Sequence, residues 1–413
     1  MKYSDLLAVV NAQKDILYSF ELGTPREDLK SLPVIHTHAV VISGIRRCGK
    51  SVLLHQFIRT EIDTVFYFNF ADIRLYEFTS GDFSLLDEIV KESGKKILFF
   101  DEIQLIKGWE LYVRQKLDQS LRVLITGSNA RMLSAELGTN LTGRHISKEL
   151  FPFSFPEFCS FYNLEPKKES FLSWLHKGGF PEFLKTNNDE LLSSLIEDIL
   201  HRDIATRYGI RDIAGLKNLC IYLISNIARP FSPSKLTGII SVKSASTVLE
   251  YLSFFEASYL MNLVSRFSWS VKGQMLSEKK VYVVDNGLIN AASISASQDL
   301  GRKFENSIYW SIRRKTKNIW YYSDGHNECD FIYKLDEELF AVQVCFDLNG
   351  DNQEREIKGL LTALKFFDLN HGVLLTIDQT DKILIEGFRI DVIPAYRFIS
   401  NPPTTSTSVM NFS

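Results

Sequence analysis

The residues best suited to chemistry lie in one short run. Positions 44–51 read Gly44-Ile45-Arg46-Arg47-Cys48-Gly49-Lys50-Ser51, and Val52 opens an apolar helical stretch. This is the spacing GxxxxGK[ST] without a mismatch. Two glycines let the backbone fold tightly and turn its N–H groups toward anionic oxygens. A helix start directly behind them adds favourable partial charge. Lys50 is expected to reach the β- and γ-phosphates of a nucleotide, and Ser51 to ligate Mg²⁺. Arg46 and Arg47 stand close to phosphate by position, while Cys48 is a small loop residue that places a thiol beside the nucleotide. Further on, four apolar residues, Ile97-Leu98-Phe99-Phe100, run into Asp101-Glu102. A buried strand would carry Asp101 to its exposed carboxyl end beside the loop. Asp101 is then expected to hold Mg²⁺ and Glu102 to orient or deprotonate an attacking water. Two adjacent acids can instead cap the next helix, but their pairing with the loop favours the catalytic reading.

These residues need strands to position them. Ala39–Ser43 leads into the loop, and Val52-Leu53-Leu54-His55-Gln56-Phe57 continues as a helix behind it. Further apolar strands are expected at 64–70, 96–100, 122–126 and 145–150. Continuous apolar strands separated by helical stretches predict a parallel sheet covered on both faces, an α/β core. Residues 154–300 read as mainly helical, and strands return from 301 to about 398.

Composition narrows the remaining classes. The chain has 413 residues, enough for two or three domains. It is 45% apolar and 23% charged, which excludes disordered, collagen-like and disulfide-scaffold readings. The net charge of −3 makes any nucleic-acid surface a local one. The five cysteines, 48, 159, 220, 329 and 345, form no CxxC pair, so zinc-ribbon and redox motifs fail on spacing and a reducing cytosol is expected. No stretch approaches the roughly 18 apolar residues of a membrane span, and no signal-peptide pattern opens the chain, so a cytoplasmic protein without membrane contact is expected.

The loop at 44–51, the Asp101-Glu102 strand end and Leu124-Ile125-Thr126-Gly127-Ser128-Asn129 together resemble an AAA+ ATPase. With Thr142-Gly143-Arg144 and Phe151-Pro152-Phe153-Ser154-Phe155-Pro156-Glu157 added, the chain is similar over nearly its whole length to a group of prokaryotic AAA+ ATPases with a C-terminal domain of unknown function. The resemblance implies ATP and Mg²⁺ as cofactors, an AAA+ P-loop core over residues 1–153 and a helical lid over 154–210. It places Ser128, or Asn129 beside it, as a polar sensor of the γ-phosphate, although Gly127-Ser128-Asn129 is equally turn-prone. It makes Arg144 an arginine finger for a neighbouring subunit's nucleotide, the alternative being a salt-bridged surface arginine. Arg202 or Arg207 of the lid is expected to approach the phosphates.

Residues 211–295 read helix, helix, Ser-rich turn, helix and apolar hairpin, which resembles a winged helix-turn-helix. Between 211 and 280 there are nine Lys/Arg against four Asp/Glu, a local excess that suits contact with a DNA backbone. The alternative is a winged helix that only packs domains together. Residues 296–400 resemble a PD-(D/E)xK nuclease core. Glu305 lies in a helix, Asp330 begins a strand, and Gln343 sits two residues before Cys345 on the next strand. In that chemistry the acids hold Mg²⁺ and a lysine activates water, but Cys345 occupies the lysine position. Lys303 or Lys334 would have to substitute, so a retained fold with lost cleavage is expected. The basic run 313–317 reads as a solvated helix end, and 401–413 as a tail.

The combined expectation is a molecular switch that hydrolyses ATP to ADP and phosphate and acts on or near DNA, as a homo-oligomer or with a protein partner. Two alternatives stand beside it: an ATP-dependent DNA endonuclease, and a nucleotide-gated protein-interaction module with very slow turnover.

Overall fold

A computed structural model of the chain describes residues 1–33, 35, 37–127, 143–240, 242, 244–292 and 299–400. The chain divides into two compact units. One comprises residues 1–151 with 257–259, the other 152–256 with 260 onward.

The first unit is built on five parallel strands. These are β1 (Ala39–Ser43), β2 (Val65–Asn69), β3 (Ile97–Asp101), β4 (Arg122–Gly127) and β5 (His145–Glu149), in spatial order β2-β3-β4-β1-β5. All pairings are parallel, with Val40 opposite Leu124 and Ile146, and Asn69 opposite Asp101. Alternation along the strands divides the core. Val41, Phe66, Phe68, Leu98, Phe100, Val123 and Ile125 face helices α1 (Tyr3–Ser19), α3 (Phe83–Ser93) and α4 (Trp109–Asp118). Helix α2 (Lys50–Ile58) follows β1 and adds buried Leu53, Leu54 and Ile58. Burial of both faces is why β1–β4 carry apolar runs, whereas β5 at the sheet edge reads His145-Ile146-Ser147-Lys148-Glu149 and is only half-buried. It also leaves one place for polar chemistry, the carboxyl edge where β1, β3 and β4 end.

The second unit opens with helices α5 (Phe155–Tyr162), α6 (Lys168–Lys177), α7 (Pro181–Thr186) and α8 (Glu190–Asp198), the last continued by a wider π-helical stretch, Ile199–Thr206. Helix α5 begins in a reciprocal cap: Ser154 N–H donates to Glu157 Oε2 at 2.8 Å, and Glu157 N–H to Ser154 Oγ at 3.2 Å. Next come α9 (Ile213–Ser225), α10 (Pro233–Ile240), α11 (Ala245–Ala257) and a two-stranded hairpin of β6 (Met261–Ser265) and β7 (Lys279–Val283), with α12 (Val271–Leu276) at its tip. Phe231 forms an antiparallel bridge to Lys279. After α13 (Asn286–Ala292) and α14 (Leu300–Arg313), a six-stranded mixed sheet forms in the order β12-β13-β11-β10-β9-β8. Its strands are β8 (Ile319–Ser323), β9 (Glu328–Leu335), β10 (Glu338–Val344), β11 (His371–Thr376), β12 (Asp381–Ile385) and β13 (Phe388–Pro394). Helix α15 (Gln353–Phe367) makes the crossover between parallel β10 and β11, burying Ile357, Leu360, Leu361 and Leu364. Helix α16 (Ala395–Ser400) closes the described chain. Among the described residues no helix is long and apolar enough to cross a membrane. All five cysteines are buried.

Candidate functional site

The loop between β1 and α2 has the geometry its glycines permit. Gly44 has φ +154°, and a Cβ there would lie 2.1 Å from the carbonyl oxygen of Leu150. Gly49 caps α2 with φ +97°, so the helix starts directly from a left-handed turn. Ile45 and Cys48 are buried, and the Cys48 thiol donates to Leu150 O at 3.3 Å. That thiol is spent on packing behind the loop. Arg46 is half-buried and Arg47 exposed, with φ +65° at Arg47. Val52 is half-buried in the first turn of α2.

Lys50 is 6% exposed, and its ammonium donates to Gly44 O at 3.1 Å and Ile45 O at 3.0 Å. Ser51 Oγ donates to Asp101 Oδ1 at 3.2 Å. These groups suit a nucleotide's phosphates and a hard divalent cation: a loop held open by left-handed glycines, a buried ammonium resting on neutral carbonyls, and a hydroxyl paired with a carboxylate.

Asp101 ends β3 and is 4% exposed. Burial, reinforced by the charge of Glu102, raises its pKa above the ordinary carboxylate range, while hydrogen bonds from Thr126 and Ser51 pull it back. Tyr67 OH donates to Asp101 Oδ2 at 3.4 Å, and burial beside that carboxylate raises the phenol pKa. Glu102 sits in a left-handed backbone conformation, φ +54°, which turns the chain at the strand end. Its N–H donates to Thr126 Oγ1 at 3.1 Å, its carboxylate accepts from Gln104 Nε2, and Thr126 Oγ1 donates in turn to Asp101. Thr126 therefore ties both acids together from the end of β4.

Two further residues shape this site and were not visible as candidates in the sequence. Thr126 is one. Arg26 is the other: it is 3% exposed and donates from Nη1 to Cys48 O and from Nη2 to Phe151 O, both at 2.7 Å. It braces the loop from behind.

Arg144 is not brought to the loop. Its carbonyl accepts from Ala39 N–H at the start of β1, whereas the loop follows Ser43 at the other end, about 13 Å along the strand at ordinary rise. The guanidinium donates to Thr37 O at 3.2 Å and pairs with Asp118. Within the chain Arg144 is therefore a salt-bridged residue remote from its own loop. Ser128 and Asn129 lie outside the described residues. Arg202 pairs with Asp198 one turn earlier in its own helix, at 3.4 Å.

A second polar cluster forms in the other unit. Glu305 from α14 and Asp330 from β9 converge, with Gln343 alongside: Gln343 Oε1 accepts from Asp330 N–H at 3.3 Å, and its Nε2 donates to Glu356 Oε2 at 2.6 Å. The lysines expected to serve this cluster do not. Lys303 donates to Asn290 Oδ1 at 2.6 Å, and Lys334 pairs with Glu337. Cys345 lies one residue beyond β10 with its thiol on Asp347 O at 3.3 Å, and burial pushes its pKa up to about 11. The cation that does enter is Lys280 of β7, which lies within 3.2 Å of Glu305, Glu328 and Asp330.

The positive balance over 211–280 is correspondingly reduced. Lys217 pairs with Glu197, Lys235 with Glu278, and Lys280 is buried among carboxylates.

The chain is similar to known proteins over most of its length. Residues 36–159 match the family model of an AAA domain, and residues 168–299 match a domain of unknown function, DUF8612. An uncharacterized protein of Haemophilus influenzae is 29% identical over 85% of this chain and 92% of its own length. The Aeropyrum pernix ORC2 protein in its ADP form aligns with 62% of this chain and 86% of its own, at 12% identity and a TM-score of 0.31. The uncharacterized protein MJ1544 of Methanocaldococcus jannaschii is 33% identical over 87% of each chain. On that identity and coverage the chain belongs to the family of MJ1544, with an AAA domain over residues 36–159.

Proposed function

We propose that this chain binds ATP with Mg²⁺ and hydrolyses it to ADP and phosphate as a conformational switch. The observation that carries the reading is the buried Lys50 ammonium resting on two loop carbonyls, directly beside the Ser51–Asp101 pair. Phosphate oxygens can replace those neutral carbonyls and gain a full charge interaction. Ser51 and Asp101 would hold Mg²⁺, which when bound supplies charge neutralisation of the phosphates. Glu102, fixed through Thr126 and Gln104, orients the attacking water and receives its proton. The position of Arg144 supports slow turnover by the isolated chain, because it pairs with Asp118 at the end of β1 remote from the chain's own loop.

We assign residues 1–153 to the ATPase core, 154–210 to a lid, 211–295 to a winged helix and 296–400 to a nuclease-like fold. Support for the winged helix is the element order α9, Phe231 bridge, α10, α11, β6, β7, with Phe231 paired to Lys279. This arrangement keeps a DNA-backbone contact in the reading, even though part of its positive charge is internally paired. Support for a nuclease-like fold without cleavage is the helix α14, the strands β8–β10 and the crossover α15 carrying Glu305, Asp330 and Gln343, with no accessible lysine beside them.

The test is ATP turnover by the purified chain, with and without duplex or single-stranded DNA, and with Glu102→Gln as control. Turnover that is abolished in the variant and rises with DNA is the expected result. Absence of turnover with tight ATP binding would move the function to a nucleotide-gated interaction with a protein partner. Absence of ATP binding would overturn the proposal.

A further inference from the structure

Lys280 is the most deeply buried cation described in the second unit, 1% exposed, and it lies where acids from two elements meet. Its ammonium is 3.1 Å from Glu305 Oε1, 2.7 Å from Glu328 Oε1 and 3.2 Å from Asp330 Oδ1. The ammonium donates to Glu305 Oε1 and Asp330 Oδ1, and Glu328 Oε1 completes the ring of ion-paired oxygens. Tyr282, two residues on and on the same face of β7, donates from its hydroxyl to Glu305 Oε1 at 2.7 Å. Val344 N–H donates to Asp330 Oδ2 at 3.0 Å. Helix α14, strand β9 and hairpin strand β7 are thus tied through one positive charge.

We propose that Lys280 is the resident cation of a carboxylate cluster built like a divalent-metal site, and that removing its ammonium opens this cluster to a divalent ion. Three arguments converge. A helix glutamate and a strand aspartate facing one point are hard oxygen donors, the set that Mg²⁺ or Mn²⁺ selects. Their oxygens surround Lys280 Nζ at distances from which an inward shift of about 1 Å gives metal–oxygen contact at about 2.1 Å. The ammonium supplies the positive charge that such buried acids require, so they remain together without a metal. Among the described residues no set of three His, Cys, Asp or Glu is arranged to hold a metal as it stands. Lys280 supplies the cation that stabilises the cluster and occupies it, so the wild-type chain keeps this arrangement without a metal. The inference is independent of the nucleotide reading, and its test uses nucleotide-free protein.

The experiment is titration of full-length protein with Mn²⁺, followed by the free-ion electron paramagnetic resonance signal. Wild type, Asp330→Asn, Lys280→Ala, Lys280→Met and Lys280→Ala/Asp330→Asn are compared. Wild type and Asp330→Asn should bind Mn²⁺ equally. Lys280→Ala or Lys280→Met should gain one site at least about tenfold tighter than any in wild type, and the double variant should lose it. A wild-type site removed by Asp330→Asn overturns the proposal, as does a folded Lys280 variant that binds no more than wild type. If neither lysine variant folds, the wild-type melting midpoint decides. Indifference to EDTA and to Mn²⁺ supports a resident ammonium, and a rise with Mn²⁺ that needs Asp330 refutes it.

Discussion

Replacing Arg26 with methionine tests how the phosphate loop is held. Arg26 is 3% exposed and gives two charged hydrogen bonds of 2.7 Å, to the carbonyls of Cys48 and Phe151. Its own N–H donates to Gln56 Oε1 at 3.1 Å, and Gln56 Nε2 returns to Leu22 O at 2.6 Å and Thr24 O at 2.8 Å. Methionine keeps most of the side chain's packing but removes both charged donors. Each such bond nets about 1.5–3 kcal/mol, and the two stranded carbonyls add a desolvation cost. Relief from burying the guanidinium returns part of this. A net loss of about 3 kcal/mol follows, and in a unit of this size that lowers the melting midpoint by about 6–12 °C.

The second readout is nucleotide affinity. Cys48 O lies one residue before Gly49 and two before Lys50, so a loosened Cys48 carbonyl frees the turn that aims the ammonium. About 1.4 kcal/mol of lost preorganisation is a tenfold weaker Kd for ATP. Arg74→Met is the control. Arg74 pairs with a carboxylate, Asp72 at 2.6 Å, but its side chain is 47% exposed, and such solvated pairs add little to stability. Differential scanning calorimetry and equilibrium binding of ATP on the three proteins decide the matter. A folded Arg26→Met protein that melts within about 2 °C of wild type, with unchanged Kd, would refute the bracing argument.

Glu102→Gln should retain ATP binding while turnover falls by about 10²–10⁴, read as phosphate release. Thr126→Val keeps the shape but removes the oxygen that joins Glu102 N–H to Asp101; turnover should drop about tenfold with a smaller change in Kd, from steady-state and binding assays together. Burial lowers His55 to about 4, below its unfolded value, so its stabilising neutrality is complete above about pH 6.5 and lost as pH falls toward 4. The midpoint of His55→Phe should therefore rise relative to wild type over that window. Asp285 runs the other way. Burial pushes it up to about 7, against hydrogen bonds from Gly179 and Gly287, so the native state keeps an extra proton between about pH 4 and 7 and stability falls as pH rises through that range. The midpoint of Asp285→Asn should gain on wild type from pH 5 to 7 and stay level above it.

What could be read from the sequence was whatever depends on neighbours along the chain. Strand β1 falls where its apolar run ends at Gly44, and β4 begins at Arg122 as expected, because strands buried on both faces need unbroken apolar runs. The loop and Asp101-Glu102 are local patterns at a strand end and were equally legible. Helix α15 carries apolar residues at 357, 360, 361 and 364, a helical period that the sequence reading left unused. Strand β13 was missed although Phe388, Ile390 and Val392 alternate with Arg389 and Asp391, a period of two that the sequence reading left unused. Arg26, Thr126 and Lys280 were invisible for a different reason. Each acts on partners 22–125 residues away, through contacts that only the folded chain creates. Arg144 shows the same limit: its pairing with Asp118, 26 residues away, is created only by the fold.

Two nearly buried lysines, 50 and 280, show how the fold separates a site open to an anion from one that is closed. Burying an ammonium is costly unless it has polar partners, and both lysines have them. Lys50 does so with neutral carbonyls of its own loop, which leaves its charge uncompensated by those contacts and available to phosphate oxygens. Lys280 does so with three carboxylates, which spend the charge completely. An incoming polyanion gains a charge interaction at the first lysine, and at the second it would have to displace acids that already hold the ammonium. Partner chemistry, rather than burial, therefore decides which lysine serves a ligand. The same contrast explains why the first cluster is expected to respond to nucleotide while the second resists metal until its lysine is removed.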